Sequence, residues 1–530
     1  MICKECVLKE FYIDIISKKI FYIPVLLVLF LGYSFSLFNR SVSIDDLLLS
    51  GSLGNGSILS GRWGMYVWCQ LLGLSENVPF VYRFLSIIFL VLSSFLLCYI
   101  FYTIRRVKDV LPYTLCASMF LSFPLINEIW EYAVNFIVVG NLALVTLAAI
   151  VVREEQSPLR RVLIAAILLL LPMSSYETAI FYYISLVEII LFCETAVHVE
   201  IQFGFVEWIK KNINYFIPVV IAFLSRFLIS FIINIVYGLD YNGGGDTSII
   251  WLKYDFMSTL KGMLVSNVNH YILYGLVYFP ISIFVLSLIY FFYALFRRNR
   301  TFVLLLGLII VVSLFSQAIL QGDLLFYRHA QTITLFVSFS VYLFCVSVKK
   351  WQKLLYVVLF AMCWYQAIYL NRILCLNNLR SDNELTVVRQ LGMKIVSEYD
   401  KKPIVFVGER PSLGSWINRQ VSVNEAEWNG RLFNRLSQKL GEHGNIPIKY
   451  VGTNVNTVMA EYLQLKNLFS YCGYDIEVIP DYFSGKVDTQ TEKIREEAAA
   501  IAEKKGIRPY QIYDNNKYLI VNLGGDNMKQ

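Results

Sequence analysis

Asp45 and Asp46 stand side by side just beyond the first long apolar segment, ahead of the glycine-rich stretch Gly51 to Gly56 and the triplet Gly61-Arg62-Trp63. Two adjacent carboxylates and an arginine at a membrane–water boundary are costly unless exposed or used. In use, one aspartate could take the proton of an acceptor hydroxyl while its neighbour orients it, binds other hydroxyls or coordinates a divalent cation. Arg62 could pair bidentately with a phosphate, and Trp63 could anchor at headgroup level or contact a sugar. Plainer roles stay open: the carboxylates solvate a loop and cap a short helix, and the arginine snorkels.

Further candidates lie along the chain. Tyr327-Arg328-His329, following Gln321 and Asp323, offers a second phosphate clamp, with an Arg328–Asp323 salt bridge as the alternative. Arg226 falls well inside an apolar run, where an unpaired charge costs about 2.5 to 3.5 kcal/mol on insertion scales. It must therefore pair with a buried carboxylate such as Glu188 or line a wet cavity that reaches a phosphate. Glu128-Ile129-Trp130-Glu131-Tyr132 and Ser174-Ser175-Tyr176-Glu177 combine carboxylates with aromatic rings at span ends. Sugars bind that way, rings on the pyranose face and carboxylates on the hydroxyls, although aromatic belts occur at every membrane interface.

Tyr241-Asn242-Gly243-Gly244-Gly245-Asp246 reads as a flexible loop, and no Gly-Lys-Ser/Thr phosphate cradle is present. The four histidines, His198, His270, His329 and His443, show no metal-ligand spacing, and no Gly-x-Ser-x-Gly elbow occurs. Zinc and serine-hydrolase chemistry are thus disfavoured, no cofactor is certain from the sequence, and a divalent cation on Asp45 and Asp46 is the metal left to consider.

The elements that must position these residues are set by composition. A chain of 530 residues with 57% hydrophobic and only 16% charged content is a polytopic membrane protein. Apolar runs long enough to cross roughly 30 Å of hydrocarbon as helices recur from Phe21 to Leu370. Hydropathy predicts about eleven spans, centred near Leu29, Phe89, Cys116, Leu144, Leu168, Ser185, Ala222, Phe284, Leu306, Phe336 and Phe360. Lys18-Lys19, Arg105-Arg106-Lys108, Arg153 with Arg160-Arg161, Lys210-Lys211, Arg297-Arg298-Arg300 and Lys349-Lys350-Lys353 fall on alternate loops. By the positive-inside rule that side, with the N-terminus, is cytoplasmic, and the net charge of +7 is mostly a topology signal with no nucleic-acid implication.

The first apolar run lacks a cleavage site and stays as an anchor. The ten cysteines are scattered, most of them within apolar runs, and show no disulfide framework; Cys3 and Cys6 have no second pair at zinc spacing. An odd number of spans places the end of the chain outside the cytoplasm. Residues 1–379 then form a multi-span catalytic domain and residues 380–530 an extracytoplasmic α/β domain. In that domain helices are predicted at Asn383–Tyr399, Asn456–Tyr471 and Thr489–Lys505, and strands at Pro403–Gly408, Asp475–Ile479 and Tyr518–Leu523.

Ser43-Ile44-Asp45-Asp46, Gly61-Arg62-Trp63, Ser175-Tyr176-Glu177 and Arg328 before a late span together resemble the bacterial type II O-antigen glucosyltransferase family, of the GT-C superfamily. The Pro403–Gly408 strand is similar too. The resemblance implies transfer of a sugar, typically glucose, from a polyprenyl-phosphate carrier to a cell-surface glycan outside the cytoplasmic membrane, with inversion at the anomeric carbon. It places Asp45 and Asp46 as the catalytic acidic pair. Where the family leads one to expect Tyr-Gln after the fifth span, this chain has Tyr176-Glu177, a change of charge at the sugar contact.

Three other classes fit a polytopic chain with buried charge, one of them a non-catalytic assembly subunit, which would tolerate loss of Asp45 and Asp46. A transporter of lipid-linked sugars would show paired repeats and broken midplane helices, and neither is visible. A glycan polymerase or ligase would rest on arginine and histidine loops, so the acidic pair after the first span discriminates.

Overall fold

The computed structural model describes residues 4–39, 58, 61–74, 79–126, 129–130, 136–197, 212–237, 250–252, 254–273, 279–298, 301–323, 325, 329–348, 352–399, 402–407, 466, 469–479, 489–508 and 510–523. The first half of the chain folds as helices α1 (Lys4–Phe11), α2 (Lys19–Phe38), α3 (Trp63–Leu71), α4 (Pro79–Arg105), α5 (Leu111–Ser122), α6 (Phe136–Glu154), α7 (Pro158–Ser175), α8 (Thr178–Val197) and α9 (Ile217–Tyr237). There follow α10 (Phe256–Asn267), α11 (Phe279–Arg298), α12 (Thr301–Ser313), α13 (Ser316–Gln321), α14 (Gln331–Ser347) and α15 (Gln352–Glu398). Strand β1 (Ile404–Val407), helix α16 (Thr489–Lys505) and strands β2 (Ile512–Asp514) and β3 (Leu519–Asn522) complete the described elements.

Among the described residues, seven helical segments are long and apolar enough to cross a membrane: Lys19–Phe38, Phe80–Arg105, Phe136–Glu154, Pro158–Ser175, Thr178–Thr195, Ile213–Tyr237 and Gln352–Arg372. Each contains one of the expected span centres. The other four centres fall on shorter apolar helices, Leu111–Ser122, Ser282–Phe296, Val303–Ser313 and Gln331–Ser347. The brevity of α5 and α14 goes with their place in the bundle. Both are apolar on all sides and almost wholly covered by protein, as a helix without a polar face must be. Small hydroxyl residues let these helices approach their neighbours, as where Ser122 Oγ donates to Gln366 Oε1 at 3.2 Å.

Side-chain bonds tie the helix ends into two polar rims. At one rim Tyr102 donates to Asp14, Arg106 to Glu10, Tyr99 to Glu154, Arg153 to Glu194, and Tyr356 to Asp109. This rim carries Lys18, Lys19, Arg105, Arg106, Arg153, Arg160 and Arg161, at the ends of α2, α4, α6 and α7. At the opposite rim the buried Arg83 donates to the backbone oxygens of Ser36 at 2.5 Å and Asn39 at 2.7 Å, satisfying carbonyls that the end of α2 leaves open. Trp130 donates to Ser36 Oγ at 2.7 Å beside the ring of Tyr33.

Helix α15 leaves the bundle through this second rim. It runs parallel to α2, with Asn371 Nδ2 donating to Leu31 O at 2.7 Å, and continues without a break to Glu398. No glycine or proline occurs between Gln352 and Leu391, so the separate helix expected from Asn383 is instead the second half of one 47-residue helix. The expected change at 379–380 therefore falls inside a continuous helix. Its later part buries Leu385, Val388, Leu391 and Ile395 against Ile404, Phe406, Phe469 and Val521.

The sheet has the order β1-β3-β2, with β1 and β3 parallel and β2 antiparallel to β3. Helix α16 covers the opposite face through Ala498 and Ala502 and ends at Gly506, whose φ of +63° suits a glycine beyond a helix C-terminus. The strand expected at Asp475–Ile479 is reduced to a single parallel bridge between Ile404 and Val478. Of the helix expected at Asn456–Tyr471, Lys466 and Phe469–Tyr471 are described and helical.

Candidate functional site

The second rim gathers Arg62, Trp63, Tyr176, Glu177, Arg226 and His329 from the residues singled out in the sequence. Helix α7 ends at Ser175; Tyr176 is extended and hands its N–H back to Pro172 O at 2.9 Å, and the chain turns at once into α8. Glu177 thus sits at the tip of a tight helix–helix turn, where its carboxylate is 44% exposed and held by two arginines. Arg226 Nη2 donates to Oε1 at 2.8 Å, and Arg62 Nη2 lies 3.6 Å from Oε2.

Arg226 comes from α9, a helix whose spanning stretch is almost entirely uncovered by protein, with Leu224, Phe227, Leu228 and Phe231 turned outward. The arginine side chain itself is only 13% exposed. A guanidinium in such a helix needs a counter-charge, and Glu177 supplies it. Of the two sequence alternatives the pairing is therefore the one observed, with Glu177 as the carboxylate in place of Glu188. The latter lies on α8 farther from this rim.

Arg62 immediately precedes α3, which lies hard against the end of α7. A Cβ on Gly64 would collide with Ser174 Oγ, Ser175 Oγ and Leu171 O, so only glycine permits this approach. The contact brings the Arg62 guanidinium over the Tyr176 ring, 5.1 Å from its centroid, as well as beside Glu177. Trp63 opens α3 half-buried, and its indole N–H meets no acceptor among the described residues.

Tyr176 extends the cluster to the last part of the bundle. Its hydroxyl is 2.9 Å from His329 Nε2, and Gln317 Nε2 is 2.9 Å from His329 Nδ1. Both ring nitrogens of His329 are thus engaged, one by the tyrosine hydroxyl and one by the glutamine amide, which fixes the ring's orientation. Gln317 was not singled out from the sequence. A lone glutamine carries no chemical signature, and its position 12 residues before His329, ahead of the same helix α14, is the available signal.

The resulting constellation runs Arg226–Glu177–Arg62–Tyr176–His329–Gln317 across four parts of the chain. Two guanidiniums on one carboxylate leave an excess positive charge facing the rim, which suits an anionic group, and the phenol and imidazole add further hydrogen-bonding groups. Asp45, Asp46, Glu128, Glu131 and Arg328 lie outside the described residues. Both flanks of the segment that carries the aspartates, Asn39 and Gly61, are at this rim. Among the described residues no group of His, Cys, Asp and Glu side chains could hold a metal ion.

A bundle of membrane-length helices with a charged and aromatic cluster at one rim defines a polytopic helical protein equipped for chemistry at a membrane boundary. Residues 34–344 match the family Glucosyl transferase GtrII, and since this is more than half of the chain, the protein belongs to that family. The match includes every residue of the cluster and ends before α15. A search of curated proteins found no match. Family membership supports glycosyl transfer as the activity, with a sugar donor, a glycan acceptor and a lipid bilayer as the partner classes.

Proposed function

We propose that the protein is an inverting glycosyltransferase that moves glucose from a polyprenyl-phosphate carrier to a cell-surface glycan at the outer face of the bacterial cytoplasmic membrane. The observation that carries this reading is Glu177 clamped between Arg226 and Arg62 at one rim of the bundle. That arrangement holds two guanidiniums where a lipid phosphate would arrive and one carboxylate where sugar hydroxyls would sit. Arg226 and Arg62 hold the departing phosphate together with Arg328 and His329. Tyr176, Glu177, Trp63, Glu128 and Glu131 contact the sugars.

Asp45 and Asp46 act as the pair that takes the proton from the acceptor hydroxyl, with or without a divalent cation. Asp45 is six residues beyond Asn39, so the chain tethers it within about 20 Å of this rim. The opposite rim, rich in lysine and arginine, is the cytoplasmic one by the positive-inside rule, which puts the cluster and the sheet outside. Residues 1–379 carry the transfer chemistry and residues 380–530 form the extracytoplasmic α/β domain.

The test is substitution of the acidic pair. Asp45→Asn and Asp46→Asn proteins are expected to insert and accumulate normally, with at least one of them losing glucose transfer in membranes. Wild-type transfer by both would refute the catalytic assignment.

A further inference from the structure

Beyond the bundle, and beyond the region that matches the family, α15 carries a polar groove. Its lining is Asp382, Leu385, Thr386 and Arg389 from the helix and Tyr471 from the short helical turn packed beside it, around a cavity of about 440 Å³. That volume lies within the usual range for small-ligand sites, about 300 to 1,000 Å³. Asp382, Thr386 and Arg389 recur at spacings of four and three, so they share one helix face, while the adjoining face is fixed in the core through Leu385 and Val388.

The wall opposite is held closely. Gly392 admits the Tyr474 ring where a side chain would clash, and Tyr474 Oη donates to Arg389 O at 3.2 Å. Asn378 donates to Asp382 Oδ2 at 3.0 Å, which orients the carboxylate and leaves Oδ1 without a donor among the described residues. Thr386 Oγ1 donates to Asp382 O at 2.8 Å and the Arg389 guanidinium also meets Cys472, so what the groove offers a ligand is chiefly the Asp382 carboxylate and the remaining guanidinium N–H groups.

Its chemistry selects a ligand class. One carboxylate and one guanidinium balance each other, so the groove attracts neither a phosphate nor a cation strongly. A carboxylate and a hydroxyl oxygen as acceptors, guanidinium donors, an aromatic ring and a leucine side chain match a polyol with apolar ring faces. The place fits as well. Asp382 is ten residues past Arg372, where the spanning part of α15 ends, or about 15 Å along a helix that leaves through the rim bearing the Arg62–Glu177–Arg226 cluster.

We propose that this groove binds neutral sugar residues of the acceptor glycan at a distance from the point of transfer. This assignment rests on the glycosyltransferase reading above and adds to it a second subsite that anchors the polymer while one of its hydroxyls reaches the first.

The experiment titrates purified full-length protein in lipid nanodiscs with neutral fragments of two to six sugars, prepared by delipidating and hydrolysing the surface polysaccharide of the cells that express it. Wild-type protein is expected to bind the fragments. Asp382→Asn and Arg389→Gln, at exposed positions whose loss leaves the fold intact, should each weaken binding about ten-fold, the effect of one charge-assisted hydrogen bond. Thr386→Val should weaken it less. Unchanged affinity in both charge variants, no binding by the wild type, or preference for acidic fragments or inorganic phosphate would each overturn the proposal. Full transfer by the Asp45→Asn and Asp46→Asn proteins would instead strike the catalytic reading and leave the binding result standing.

Discussion

Replacing Glu177 by alanine strands Arg226, whereas replacing Arg226 by methionine strands nothing, because the two partners differ in their surroundings. The Arg226 side chain is 13% exposed on a lipid-facing helix, while Glu177 is 44% exposed and retains Arg62 at 3.6 Å. An unpaired arginine at a helix centre costs about 2.5 to 3.5 kcal/mol, and its nearness to the rim, where it can reach towards water, lowers this to about 2 kcal/mol. The Arg226→Met protein loses only a pair with one half-exposed member, worth about 0 to 1 kcal/mol, and gains an apolar side chain in an apolar helix. The double variant should therefore lie close to Arg226→Met, with a coupling of about 2 kcal/mol, or roughly a thirty-fold difference in the folded-to-unfolded ratio. Equilibrium unfolding in mixed micelles with increasing denaturing detergent, followed by circular dichroism, measures all four corners of this cycle. Equal costs for the two single variants, or a double variant as unstable as their sum, would refute the reasoning.

Other outcomes follow from the same geometry. Gly64→Ala should cost about 1 to 3 kcal/mol from overpacking against Ser174 and Ser175, measurable in the same unfolding assay, and should lower transfer because Arg62 moves with α3. Gln317→Leu removes the hydrogen-bond partner of His329 Nδ1 and should reduce kcat about ten-fold with little change in protein level, since one lost hydrogen bond is worth about 1.4 kcal/mol; Gln317→Asn or →His should recover part of the rate in membrane assays. In the sheet, the Lys402 ammonium 2.6 Å from Asp514 holds that carboxyl below its ordinary value of 3.8. A depressed pKa stabilises the fold at pH above that value and is lost as pH falls below it, so Lys402→Met should remove part of the acid sensitivity of unfolding below about pH 4.

The bundle was legible because lipid imposes one rule on every crossing, and runs such as Phe80–Arg105 and Ile213–Tyr237 meet it with little help from context. Tertiary partnering was not. Arg226 announced that it needed a carboxylate, yet the choice of Glu177 over Glu188 depends on how α9 lies against α7, which no local pattern records. Arg62, Tyr176, Glu177 and His329 stood out by residue type at span ends, whereas Gln317 acquires its role only from the ring it faces. In the C-terminal part, the alternation of helix and strand was visible at Ile404–Val407 and Leu519–Asn522, whose four residues are all buried. Strand β2 was missed because three half-buried residues, Ile512-Tyr513-Asp514, make no period of their own. The sequence of α15 predicts a span followed by a separate helix because its apolar character stops near Arg372 while its backbone does not.

Transfer itself can be measured with purified full-length protein in vesicles supplied with polyprenyl-phosphate [¹³C]glucose of known anomeric configuration and delipidated surface polysaccharide, in parallel with a nucleotide-activated glucose. The account predicts that label reaches the polysaccharide from the lipid-linked donor alone, and that NMR of the product shows the opposite anomer. Transfer from the soluble nucleotide sugar in place of the lipid-linked one, or retention of configuration, would contradict it.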